Sequence, residues 1–162
     1  MRSRGRTSRL AAVTALLAAV ALIVALAASA VIIPQRGLAG LRLGMTQAKV
    51  RSVLGKPGRV VRGSNEFGAY TEFVYRSLRV SFQGNASVTN LRTTRRSERT
   101  KSGVGVGSPE VELRRKVGGI RCRTEFGFRH CFLGRFLAGR RVTDFRIVRG
   151  RVASIDIGFV ID

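Results

Sequence analysis

The longest uninterrupted pattern in the chain is apolar. Leu10 to Ile33 runs 24 residues with only Thr14 and Ser29 as polar side chains and no charge, Gly or Pro. That length reaches the roughly 20 residues needed to cross a bilayer, and the absence of a polar face sets it apart from a core helix. Downstream the pattern turns periodic. Thr46 opens a short amphipathic helix that closes at Gly55 ahead of Lys56-Pro57-Gly58, and Ser108-Pro109 opens a second that closes at Gly118. Strand-like alternation follows each helix. In the first region it covers Thr71 to Tyr75 and Leu78 to Phe82, separated by the hairpin spacing Arg76-Ser77, and then Val88 to Thr93. In the second it covers Cys131 to Leu133, Thr143 to Val148 and Val152 to Ile161, with Arg149-Gly150-Arg151 as a turn.

These two regions repeat one another. Gly40 to Gly55 can be laid over Gly103 to Gly118 at a constant offset of 63 residues, with the glycines and the apolar pairs Ala48/Val111, Val50/Leu113 and Leu54/Val117 coinciding. The organisation expected is a signal peptide or signal anchor over 1–33, a linker over 34–39, a first α+β repeat over 40–94, a basic linker over 95–102 and a second repeat over 103–162. The fold class expected is α+β: two tandem units of short helices packed on antiparallel sheet, preceded by an N-terminal apolar helix.

Charge adds a direction. Arg2, Arg4, Arg6 and Arg9 precede the apolar run, which keeps that end cytoplasmic and sends the rest of the chain outside. Ala28-Ser29-Ala30 supplies an A-x-A pattern for cleavage after Ala30; retention as a membrane anchor is the alternative. The full chain carries +21, and 26 of its 30 basic residues lie beyond the segment against 9 acidic ones, leaving +17. Such an excess favours anionic surfaces, among them lipid headgroups and phosphate-bearing wall polymers; export argues against nucleic acid as the partner.

Leu41 to Pro57 reads L-x-L-G-M-T-x-x-x-V-x-x-x-L-G-K-P and is followed by strands. This unit resembles the BamE (small protein A) domain and the tandem-repeat beta-lactamase inhibitor proteins that share its architecture. The resemblance implies two short helices against an antiparallel sheet and, in the tandem inhibitors, a concave sheet surface offered to a protein target. Those inhibitors use an acidic residue in a hairpin turn of the first unit, where this chain has Arg76-Ser77, and the lipid-anchoring Cys of BamE proteins is absent.

Candidate chemistry is sparse. Cys122 and Cys131 are expected to form a disulfide, worth roughly 2.5 to 3 kcal/mol for a loop of about 10 residues. His130 neighbours Cys131, but adjacent strand residues face opposite sides, so a nucleophile pair is not expected, and one His with two Cys falls short of a zinc site. Gly103-Val104-Gly105-Val106-Gly107 lacks the Lys and Ser or Thr of a phosphate loop. No catalytic residue, metal site or cofactor is therefore assigned. The reading is a non-catalytic, extracytoplasmic protein-binding module, secreted or anchored by its N-terminal segment, with Tyr70, Tyr75, Arg76 and Arg79 as the expected contact residues. The alternative is an electrostatic binder of anionic envelope polymers or headgroups through Arg92, Arg95, Arg96, Arg99 and Lys101, with Arg140 and Arg141.

Overall fold

Twelve strands and two short helices follow one another in the computed structural model, which describes residues 31–161. The expected N-terminal apolar helix lies outside the described residues up to position 30. The chain enters through β1 (Val31–Ile32), β2 (Gly37–Leu38) and β3 (Leu41–Arg42), then forms α1 (Gln47–Leu54). The strands β4 (Arg59–Asn65), β5 (Gly68–Tyr75), β6 (Leu78–Gln83) and β7 (Asn90–Thr93) make an antiparallel meander. After β8 (Arg99–Thr100) come α2 (Glu110–Lys116) and a second meander of β9 (Arg121–Glu125), β10 (Phe128–Leu133), β11 (Arg141–Val148) and β12 (Arg151–Phe159).

Antiparallel pairing of β7 with β12 joins the meanders into one eight-stranded sheet of order β4-β5-β6-β7-β12-β11-β10-β9. This overturns the expected α+β class of two helix-and-sheet units. The protein is mostly β, and its two described helices span 8 and 7 residues. Two strands escaped the sequence pattern for the same reason: β4 and β9 are the sheet's edges. Neither buries a full face, so Arg59, Arg62, Ser64 and Asn65, or Arg121, Arg123 and Thr124, show no apolar alternation.

Local chemistry sets the helix starts. The Thr46 hydroxyl accepts a hydrogen bond from the Lys49 backbone N–H, capping α1. At α2 the position is taken by Pro109 without a side-chain cap, while the Ser108 hydroxyl instead accepts from the Gly105 N–H and from Arg99. A bidentate pair from Arg129 of β10 to Glu110 ties α2 to the sheet, at 2.6 and 3.3 Å.

The core lies on one face of the sheet. Cross-strand registers line up Cys122, Cys131, Phe145, Ile155, Thr93, Leu78 and Tyr75 in one row, and Leu133, Thr143, Ile157, Leu91, Val80 and Phe73 in the next. Val50 of α1 and Leu113 of α2 pack into the same cluster. So do Ile32 and Leu38, each 1% exposed; of the 34–39 stretch expected as a linker, Gly37 and Leu38 pair with Leu41–Arg42, and residues 34–36 form the turn before them. Likewise β8, inside the stretch read as a basic linker, pairs in parallel with β1.

Candidate functional site

Because strand side chains alternate, the opposite face of the sheet, on which neither helix packs, has its own rows. One crosses all eight strands: Arg121, Phe132, Asp144, Asp156, Arg92, Arg79, Val74 and Arg59. Its neighbour runs Arg123, His130, Arg146 and Ser154. Opposite charges interlock along these rows. Arg79 meets Glu72 at 3.3 Å, Arg92 meets Asp156 at 3.7 Å, and Arg123 pairs with Glu125. Exposed pairs of this kind contribute about 0 to 1 kcal/mol each, so they order the face more than they stabilise it.

His130 is the centre of the second meander's contribution. Its Nδ1 lies 2.9 Å from Asp144 Oδ1, its Nε2 lies 3.3 Å from Glu125 Oε2, and its side chain is only 4% exposed. Phe128, Phe132 and Phe136 pack around the ring, with centroids 5.3, 5.4 and 6.0 Å away. Arg121 and Arg146, which have no carboxylate partner among the described residues, stack instead on Phe132 and Phe128. Next to His130 is a hollow of about 270 Å³ whose wall includes Arg123, Glu125, Phe126 and Phe136. Phe126 occupies the β9–β10 turn at positive φ and stands 90% exposed.

Burial raises the carboxyls of both Asp144 and Asp156 above the usual carboxylate range. For Asp144, His130 and Arg123 pull the other way without cancelling it. For Asp156, Arg92 and Asn90 oppose the shift and the neighbouring Asp144 adds to it. The two aspartates are direct cross-strand partners, so like charge across the β11–β12 pair is tolerated only beside His130, Arg92 and Arg146.

The structure divides the contact residues expected from sequence. Tyr70 and Arg79 lie on the face away from the helices, where the Tyr70 ring lies against Gly63: a Cβ there would come within 2.8 Å of the Tyr70 hydroxyl. Tyr75 is on the core face and donates to the Gly55 carbonyl at 3.1 Å, and Arg76 sits in the hairpin turn. The basic run is also split. Arg92 is engaged with Asp156 and Arg95 with the buried Glu98, and Arg99 donates to the Val106 carbonyl and Ser108; Arg96 and Lys101 point to solvent. Arg140 and Arg141 flank the β10–β11 loop at the end of the sheet, both exposed.

Cys122 and Cys131 form the disulfide across the β9–β10 pair, which fits an oxidising, extracytoplasmic environment. Their sulfurs lie with a Glu110 oxygen inside 4.8 Å, a spacing suited to metal ligands, but disulfide sulfur offers no thiolate. The His130 cluster itself was missed in sequence because it depends on the β9–β10–β11 register. The available signal was the i, i+2, i+4 spacing of Phe128, His130 and Phe132, which puts all three on one face.

No family model matches the chain, and no curated protein does. Two solved structures are similar to it. One is a cysteine-rich secretory protein from Staphylococcus aureus, at 14% identity and TM-score 0.45, covering 72% of this chain and 44% of the other. The second is a DUF4309 family protein from Bacillus subtilis, at 18% identity and TM-score 0.46, covering 70% of this chain and 78% of the other. The chain thus spans less than half the length of the first. Among the described residues no helix is long and apolar enough to cross a membrane; the segment up to Ala30 lies outside them.

Proposed function

We propose that this chain is a non-catalytic, extracytoplasmic protein-binding module that docks its partner on the sheet face away from the helices. One observation carries the reading: that face presents ordered, cross-linked rows of Arg, carboxylate and aromatic side chains over eight strands, and neither described helix packs on it. Arg and aromatic anchors are the side chains that dominate protein interfaces, and the exposed Phe126 and half-exposed Phe136 add apolar area at one end. In this reading His130 orders the face instead of meeting a substrate, since its side chain is 4% exposed and Phe128, Phe132 and Phe136 pack around the ring. Among the described residues Arg121 and Arg146 have no carboxylate partner and stack on the aromatic half, so the partner surface that fits is largely apolar with a carboxylate opposite each of the two. The N-terminal segment either delivers the module to the outside and is cleaved after Ala30, or holds it at the membrane.

Capture from an envelope extract tests the reading. The full chain should retain a protein that an Arg79→Glu/Arg146→Glu variant of unchanged fold loses, and retention should persist from low to moderate salt. Binding that fades steeply with salt, or that the variant keeps, contradicts it.

A further inference from the structure

The β10–β11 loop and the β1–β2 turn meet at the end of the sheet and enclose a hollow of about 570 Å³ bordered by Gln35, Gly134, Arg135, Arg140 and Arg141. The meeting is built, not incidental. Gln35 sits at φ 60, its backbone N–H donates to the Thr143 hydroxyl at 2.6 Å, and its side-chain amide donates to the Arg141 carbonyl at 2.8 Å. Such a left-handed conformation in a non-glycine residue costs energy and persists where surrounding contacts hold it. Gly134 is required beneath it: at φ 98, a Cβ would come within 2.4 Å of the Arg141 carbonyl and 2.8 Å of the Gln35 amide. The loop is pinned on its far side by the Gly139 N–H to the Val160 carbonyl and the Val160 N–H to the Arg140 carbonyl, both 2.9 Å.

Three arginines therefore border one hollow whose backbone is held in place, and none of them pairs with a carboxylate among the described residues. The Arg141 guanidinium is further oriented by the Phe159 ring, 5.4 Å away. Like charges gathered on a rigid hollow repel unless an anion neutralises them. A carboxylate satisfies one guanidinium fork, whereas a phosphate offers oxygens to several at once. We infer that this rim is a binding site for a phosphate-bearing anion, the phosphate group of either a lipid headgroup or an envelope polymer. Its position bears on the source. Val31 to Ile33, the last residues of the apolar run, are folded into the domain, so the remainder of the run ends at Ala30, five residues and at most about 17 Å of chain from Gln35, within reach of headgroup phosphates if it stays in a bilayer. The site lies off the docking face, and its failure would leave the docking reading untouched.

The test uses the full chain. In non-ionic detergent, titration with glycerol phosphate, against acetate as a carboxylate control, is followed by calorimetry. In a second arm, the chain is reconstituted into phosphatidylcholine nanodiscs with or without phosphatidylglycerol, and arginine-selective labelling of Arg135, Arg140 and Arg141 is read by mass spectrometry. The expected result is saturable binding of glycerol phosphate over acetate, or protection of the three arginines by phosphatidylglycerol; the first identifies a soluble phosphate source and the second a lipid one. An Arg135→Gln/Arg140→Gln variant should lose about tenfold or more in affinity, while Arg114→Gln/Arg115→Gln, with the same change in net charge on α2, should change by less than about threefold. The inference is overturned if neither phosphate source registers, if acetate binds equally well, or if the α2 pair loses as much as the rim pair.

Discussion

The two faces of the eight-stranded sheet are made by the same strands and obey opposite rules. On the core face the rows are mostly apolar, interrupted by the uncharged Thr71, Thr93 and Thr143, and Phe73, Leu78, Val80, Phe82, Leu91, Phe145, Ile155 and Ile157 are fully buried. On the other face the equivalent rows hold Arg92 against Asp156, Arg79 against Glu72 and His130 against Asp144. Stability resides in the first, and the proposed docking in the second. The core face gains from each side chain removed from water, whereas the charged face nearly breaks even on pairs that remain half in water.

Variants can break that division, and the largest effect should come from the core. Phe82→Ala removes a fully buried ring that packs edge-on to Phe73 at 4.8 Å, and chemical denaturation should show a loss of about 3 to 5 kcal/mol. Next is the disulfide at the end of a core row: Cys122→Ser/Cys131→Ser should cost roughly 2.5 to 3 kcal/mol without changing the circular dichroism of the folded state.

A smaller effect of the opposite sign is expected at Glu98, which is fully buried with both carboxylate oxygens lacking a hydrogen-bond partner and Arg95 3.5 Å away. Burial raises its carboxyl above the usual range, with Thr93 and Arg95 only partly offsetting this. The folded state therefore holds the proton more tightly than the unfolded chain. That contribution is complete below the ordinary carboxylate value and is lost as pH rises through the folded value. Glu98→Gln should accordingly stabilise by about 1 kcal/mol at pH 7, and thermal melts should show the gain shrinking as pH falls into the acid range. The smallest effect belongs to the charged face: Arg79→Ala should move stability by less than about 1 kcal/mol, and a larger loss would dissolve the contrast between the faces.

The same contrast explains what the sequence disclosed. Alternation marks a strand when one face is buried, so β5, β6, β11 and β12 were visible, as was the two-residue hairpin turn Arg76-Ser77 between β5 and β6. The edge strands β4 and β9 bury neither face fully and left no pattern. Without them the sheet looked like two smaller units with helices as equal partners, and the β7–β12 seam, a contact between residues more than 60 apart, has no local signature. The disulfide was legible from cysteine count and context. The His130 cluster was not, because its partners Glu125 and Asp144 come from separate strands and meet only once register is set. Tyr70 and Tyr75 were grouped although five residues apart, an odd separation that sends them to opposite faces of one strand.

The central claim is that a partner covers the charged face. The most direct measurement is arginine-selective labelling of the full chain with and without the captured protein, read residue by residue. The account predicts protection of Arg79, Arg121 and Arg146 in the complex, with Arg114 and Arg115 on α2 labelled as before. Unchanged labelling of the first three alongside protection on α2 would contradict it.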